Sequence, residues 1–568
     1  MDFLKKDNYL NFLVLFTFLF FLLGINWGIP SKKVSKLYFY KKDHLEKILF
    51  KIKEHKQEIW KGYGYYLVLH PEEEEKKLPR SYYNPIRSYH PDEYFIIKVF
   101  ASMNPEKLDF NPHQFAVGGA YLYLIGVILY FLSKIKVIKL TKDLSFYFYN
   151  PEEIGKFYVV GRLITLFHGV GIIVLTYLII KKLYNDRKNA FLISILLLFT
   201  PLIILNSSYM YVDIPGLFWI TMCLYYSLKT FENLNNKNYF LAGIFSGLAC
   251  GTKINLFISI LIPIFALILK CRNIKNFLFS LLYIVGGFIL SFGITNPYFF
   301  LTFPMPIVEL KQHTPIKFSG KFYVDALIYG LGWPVFILCL IGLIFNKKNF
   351  ILKERTLLFL WILSFFLFIS LFSKNYARYI LPILPCFLVL GCEFWLKKSN
   401  YRLNKFLKLT FFYFCLIYTI FYGLSFKNLL VKENIRTECG LWIKENIPAD
   451  KSIGVCEIPW QFQLPPFDYF EYELIIINYN FEKLKKILPE YFVISSFQAP
   501  VPPYPSNLEK EKIDFWNEFL NSNLYTLHKS FQKFPSLGII NFKFEILPED
   551  LIYLNPTILI FKKNGRNF

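Results

Sequence analysis

Runs of about 20 apolar residues alternate with short charged connectors along most of this chain, each long enough to cross a hydrocarbon core of roughly 30 Å. The pattern predicts eleven spans, at about 9–28, 157–180, 189–207, 213–229, 239–252, 254–270, 276–294, 325–345, 356–373, 379–396 and 407–425. The first follows Lys5 and Lys6; it is long for a signal peptide, lacks a small-residue cleavage site, and reads as a retained helix. Residues 118–132 are also apolar, but about 15 residues is short for a span, and Ser133-Lys-Ile-Lys136 closes the run. That length suits a re-entrant or interfacial helix.

From about 430 the pattern changes. Lys451–Glu457, Glu473–Asn478, Tyr491–Ser496 and Thr557–Lys562 read as strands; Thr437–Asn446, Phe481–Leu488 and Leu508–Leu520 read as helices. The expected architecture is a polytopic α-helical membrane protein, residues 1–425, followed by a small α/β domain, residues 426–568. Between the first two spans lies a long outer region, 29–156, with a charged amphipathic stretch Lys41–Lys61 and an acidic run Glu72–Glu75 that read as solvated surface. The tail carries no Gly-rich phosphate loop, and the absence of internal repeats or inverted hydropathy symmetry counts against a secondary transporter.

Charge fixes the direction of threading. The net charge of +23 comes largely from Lys and Arg in short loops: Lys181-Lys182 with Arg187-Lys188, Lys270–Lys275, Lys347-Lys348 and Lys397-Lys398. Eleven spans with the N-terminus inside put all of these on the cytoplasmic side and the C-terminal domain outside. A nucleic-acid partner is excluded, because such binders cluster their basic residues on one soluble face with aromatics between them. Composition agrees with a membrane protein, at 54% hydrophobic and 20% aromatic. Of the nine cysteines, Cys439 and Cys456 fall in the tail; an outer location allows them to pair, and two buried thiols fit equally well.

Candidate chemistry lies where the membrane disfavours charge. Asp92 and Glu93, in Tyr89-His-Pro-Asp-Glu-Tyr94, follow the first span, where folding requires no acids. Arg162, Asp213, Lys253 and Arg378 sit at the mouths of spans, at about 2.5–3.5 kcal/mol each for a central Lys, Arg or Asp, and the topology puts all four on the side of Asp92. A plain reading has the cations snorkelling to headgroups and Asp213 capping its helix. The alternative is a basic phosphate-binding cluster facing a carboxylate base: Arg offers a planar fork to phosphate oxygens and Lys a point charge. His90 could reach a substrate hydroxyl or a metal, though two neighbouring ligands do not make a site. His113 and Gln114 could contact a sugar, whereas His168 reads as satisfied within its own helix.

The order of these motifs resembles the GT-C-fold glycosyltransferases related to protein O-mannosyltransferases and lipid A aminoarabinose transferase, glycosyltransferase family 39. The series runs His90-Pro-Asp-Glu93, Gly161-Arg-Leu-Ile164 with Lys181-Lys-Leu-Tyr184, Ser207–Pro215, Gly247–Asn255, Asn296-Pro-Tyr298 and Ala377-Arg-Tyr-Ile-Leu-Pro382. The resemblance covers roughly residues 1–425. It implies transfer of a sugar from a polyprenyl-monophosphate carrier to an acceptor on the outer face of the cytoplasmic membrane. Under it, Asp92 is the base, Glu93 its support, and Arg162, Lys253 and Arg378 the holders of the lipid phosphate. His90, Asp213, Tyr379 and His113 are substrate contacts. The sequence departs from the family in the long segment 29–91 before the acidic pair, and in an α/β tail where protein O-mannosyltransferases carry trefoil-type domains.

The expected activity is therefore an inverting glycosyltransferase, with a hexose such as mannose as the sugar and no cofactor required. The acceptor (protein, lipid or glycan) is left open. The rival reading is a transporter or flippase of lipid-linked substrates.

Overall fold

The computed structural model describes residues 7–59, 80–232, 235–312, 318–345, 352–371, 375–397 and 402–565. The acidic run Glu72–Glu75 lies outside the described residues. The chain divides into two compact units. One comprises 1–25, 114–128 and 160–427; the other comprises 26–113, 129–159 and 428–568.

The first unit is helical. Every predicted span overlies helix, but the helices differ in length. Pro151–Tyr184, Ile274–Thr295, Ala377–Leu396 and Lys405–Asn446 are long and apolar enough to cross a membrane, and the bent pair Gly320–Leu331 and Trp333–Phe345 makes a fifth candidate. The remaining predicted spans are shorter or interrupted. Asn8–Leu22 has 15 residues, and Arg187–Leu198 gives way to a new helix at Pro201. Residues 254–270 begin as 3₁₀ helix over Ile254–Ile260. Two of the breaks have a plain local cause: Pro201 lacks the N–H that an unbroken helix needs. Gly332 takes φ of 85° at the 115° bend, where a Cβ would lie 2.7 Å from the Tyr418 ring. The chain is an integral membrane protein of several apolar helices.

Helices Asn236–Thr252 and Ile274–Thr295 approach backbone to backbone. A Cβ on Gly243 would lie 2.2 Å from the carbonyl oxygen of Ile284, so only glycine permits that spacing. The helix Gly119–Lys134 has 16 residues. At 1.5 Å per residue it spans about 24 Å, less than the hydrocarbon core.

The second unit is built on a five-stranded sheet. In spatial order its strands are Glu473–Ile476, Ser452–Val455, Tyr491–Ser495, Ile558–Lys563 and Tyr525–Phe531. The first three are parallel and the last two antiparallel to their neighbours. Alternation along the strands sends Val455, Val493 and Ile560 to one face and Phe492, Ile494 and Phe561 to the other, so each face has its own apolar cluster. Cys439 joins the first cluster and Cys456 the second, and both are free thiols. They therefore do not pair. All four predicted strands are present; the fifth, Tyr525–Phe531, is an edge strand whose exposed Thr, His and Lys hide the usual alternation.

Residues well before the tail share this unit. The Asp468 carboxylate, fully buried, accepts from the backbone N–H of Tyr40 at 2.5 Å and lies 2.8 Å from His44 Nδ1. Its other oxygen accepts from the N–H groups of Phe470 and Glu471. The helix Lys42–Ile59 is thereby tied to the same core as the sheet.

Candidate functional site

Within the helical unit, three charged residues meet where helices begin or break. Asp213 opens the helix Asp213–Lys229, in the turn where Pro215 needs no donor. Lys253 is the extended residue (φ −149°, ψ 117°) between Asn236–Thr252 and the 3₁₀ segment after it. Arg378 lies in the 3₁₀ segment Ala377–Ile383. Lys253 Nζ is 2.6 Å from Asp213 Oδ1, and Arg378 Nε is 3.4 Å from Asp213 Oδ2. All three are buried, at 9% exposure or less. The Asp213 side chain makes no cap bond to its own helix. Capping, the plain reading, is replaced by pairing with two cations.

Tyrosines wall the cluster. The Tyr379 ring centroid lies 4.0 Å from Lys253 Nζ, and Tyr376 and Tyr211 lie 4.2 and 5.3 Å from the Arg378 guanidinium carbon. Their negative ring faces favour cations taken from water. Two cations beside one carboxylate in a low-dielectric place make an arrangement that suits an incoming anion.

Arg162 is fully buried in the same unit and donates from Nη1 to the carbonyl oxygen of Ile25 at 2.7 Å. Its neighbour Gly161 packs against Met210: a Cβ there would lie 2.2 Å from the Met210 side chain. The helix carrying Arg162 thus runs against the turn leading into Asp213. His168 bonds the Ile164 carbonyl at 2.7 Å, as expected of a histidine satisfied by its own helix.

Other residues gather around this unit's helix ends, among them Asn296 of the Asn296-Pro-Tyr298 motif, while Glu309 was not singled out from sequence. Asn296 accepts from the Gly119 N–H at 2.8 Å and donates to the Gly251 carbonyl at 3.1 Å, joining three helix ends. Its place before Pro297 was the available signal. Glu309 accepts from the N–H groups of Phe115 and Ala116 at 3.0 to 3.2 Å, and burial raises its carboxyl pKa. Tyr211 lay within the Ser207–Pro215 motif without a role of its own, and Tyr376 did not stand out in a chain that is 20% aromatic. Gln114 is buried in this unit.

The acidic segment belongs to the other unit. Asp92 precedes the helix Glu93–Ser102 and is partly exposed; its side chain makes no cap bond, and its N–H donates to His90 Nδ1 at 3.3 Å. Glu93 is fully buried and accepts from Ser88 Oγ at 2.5 Å. The adjacent carboxylates therefore live in different environments. The segment is firmly held: Tyr89 N–H donates to the Gly28 carbonyl at 2.8 Å, and its hydroxyl lies 2.8 Å from Thr437 Oγ1. Burial raises the Tyr89 phenol pKa. The His90 ring packs on Tyr553 at 5.5 Å, and Arg87 stacks over Tyr94 at 4.6 Å. His113, half-buried with φ of 52°, donates its N–H to Asn111 Oδ1. Among the described residues no three His, Cys, Asp or Glu side chains gather with the spacing of a metal site.

Helices broken at buried charges, within a chain of several apolar helices, define a polytopic α-helical membrane protein. Residues 125–301 match the family of dolichyl-phosphate-mannose-protein mannosyltransferases. That stretch contains Arg162, Asp213, Lys253 and Asn296. No curated protein matches this chain. Among solved structures, the archaeal oligosaccharyltransferase AglB of Archaeoglobus fulgidus, in complex with an inhibitory peptide and a dolichol-phosphate, is 12% identical with a TM-score of 0.42. That match covers 71% of this chain and 65% of that one. ArnT from Cupriavidus metallidurans, bound to undecaprenyl phosphate, is 12% identical over 79% of this chain and 88% of that one, with a TM-score of 0.38. The S. cerevisiae protein O-mannosyltransferase complex bound to the sugar donor is 16% identical over 52% and 38%, with a TM-score of 0.29.

Proposed function

We propose that the chain is an inverting glycosyltransferase that moves a hexose, mannose by the family match, from a polyprenyl-monophosphate carrier to an acceptor hydroxyl. The observation that carries this reading is the buried Asp213–Lys253–Arg378 cluster, two cations on one carboxylate walled by tyrosine, in a chain whose residues 125–301 match the dolichyl-phosphate-mannose-protein mannosyltransferase family. Lys253 and Arg378 hold the donor phosphate, Asp213 keeps both cations charged and oriented, and Tyr379 shapes the wall. Arg162 adds positive charge from its buried position. Asp92 is the general base, and Glu93, fixed by Ser88, supports its segment; His90 and His113 contact the substrates.

In the reaction the acceptor oxygen bonds to the anomeric carbon as the carbon–oxygen bond to phosphate breaks. The hydroxyl proton passes to Asp92, and the lipid monophosphate leaves with the electron pair, stabilised by the cations. Backside displacement inverts the anomeric centre. The reading places the protein in the cytoplasmic membrane, with its chemistry on the outer face.

The test is sugar transfer by purified protein in proteoliposomes, with radiolabelled polyprenyl-phosphate mannose and an envelope extract as acceptor source. Label in product, and none when Asp92→Asn replaces the wild type, supports the reading. Turnover of the Asn variant at the wild-type rate removes Asp92 as base. Transfer only from a polyprenyl-diphosphate donor rejects the proposed carrier.

A further inference from the structure

A further group of basic residues, none of them assigned above, lines a pocket within the second unit. At the C-terminal end of the helix Gly119–Lys134, the connecting segment to Phe146 and the first turns of Pro151–Tyr184 border an open pocket of about 490 Å³. Its lining includes Lys134, Lys136, Lys139 and Lys156 against a single acid, Glu153. Lys156 Nζ bridges Glu153 at 2.6 Å and the Val137 carbonyl at 3.1 Å, which neutralises that acid internally. Lys139 lies over the Phe146 ring at 4.2 Å and Lys134 over Tyr130 at 4.9 Å. Lys136 stands at φ of 62°, the helix-terminating position where glycine is the ordinary choice.

Around the pocket the surface is apolar. Tyr130, Phe131, Ile135, Val137 and Leu140 are each between 44% and 61% exposed. Lysine stems and heads beside exposed aromatic and aliphatic side chains are the arrangement of a bilayer surface, where apolar groups enter the acyl region and ammonium groups meet phosphates.

We infer that this pocket binds the headgroup of an anionic bilayer phospholipid, with the patch from Tyr130 to Leu140 inserted beside its acyl chains. Three lysines not neutralised by Glu153 match a phosphodiester that carries net negative charge. The exposed apolar rim favours a lipid over free phosphate, which would gain nothing from it. The site serves to hold this segment at the headgroup level and is independent of the sugar-transfer reading.

The experiment is native mass spectrometry of the delipidated full chain in neutral detergent, titrated with dioleoylphosphatidylglycerol, dioleoylphosphatidylcholine or sodium phosphate. Wild-type protein is expected to retain one phosphatidylglycerol with clear preference over phosphatidylcholine. The triple variant Lys134→Gln/Lys136→Gln/Lys139→Gln is expected to bind it about a hundredfold more weakly, at about fivefold per lysine. If that variant does not fold, Lys139→Glu alone is expected to lose about tenfold with an unchanged melting point. Equal affinity of the folded variant and the wild type overturns the inference, as does equal retention of both lipids. Displacement of the lipid by millimolar phosphate overturns it too, leaving a free-anion site only.

Discussion

Lys253 Nζ and Asp213 Oδ1 lie 2.6 Å apart although 40 residues separate them in sequence. Both side chains are buried, and Arg378 approaches the other carboxylate oxygen at 3.4 Å. A buried ion pair is weak evidence of net stabilisation, but removal of one member strands the others in a poorly solvated place.

Asp213→Ala is therefore expected to destabilise the protein by about 3–5 kcal/mol, because two cations lose their partner. Thermal unfolding in detergent measures this. Lys253→Met leaves the carboxylate with Arg378 and is expected to cost less stability while weakening the donor lipid at least tenfold. A Lys253 variant with wild-type donor affinity would remove that residue from the phosphate site.

The two carboxylates of the acidic segment should separate by phenotype. Asp92→Asn is expected to lower turnover by about 10²–10⁴ with an unchanged melting point, the range for loss of a general base. Glu93→Ala should instead lower the melting point, by about 1–3 kcal/mol of stability, since it removes the buried hydrogen bond from the Ser88 hydroxyl to the carboxylate. Unfolding curves and initial rates on the same preparations distinguish the two. Identical behaviour of both variants would contradict the division of roles.

Arg378 offers a test of guanidinium geometry. Arg378→Lys keeps the charge but loses the planar fork, so donor affinity should fall to a value between wild type and Arg378→Ala. Titration with the donor lipid measures the series. A lysine variant equal to wild type would show that charge alone suffices.

One tail thiol gives a pH-dependent signature. Burial holds Cys456 well above the ordinary thiol pKa. The folded tail thus keeps this proton while the unfolded chain releases it as pH passes about 8.5. With fewer protons bound in the unfolded state, stability declines as pH rises above that point. Maleimide labelling should be slow in folded protein and rapid in denaturant, and Cys456→Ala should reduce the alkaline slope. Fast labelling of that thiol in the native chain would contradict its burial.

Much of this was readable along the chain. Asp213, Lys253 and Arg378 drew notice because an apolar run tolerates charge only where its backbone breaks, and each lies at such a break. Four strands of the sheet were visible because their buried residues are unmistakably β-forming; the edge strand Tyr525–Phe531 was not, since its solvent side carries the polar groups. Span lengths were overdrawn, because Pro201 and Gly332 interrupt helices within runs that hydropathy reads as continuous.

Order of apolar and charged residues alone thus determined the membrane class, the helix breaks marked by Asp213, Lys253 and Arg378, and the family resemblance, because those depend on local solvation and backbone geometry. Tertiary packing alone decided that Asp213 pairs with Lys253 and Arg378, that Arg162 reaches the Ile25 carbonyl, and that Tyr40 and His44 share a core with Asp468. The reason is physical: a charge at a helix end can satisfy itself with any of several partners, and only the helices' final packing brings one of them within bonding distance.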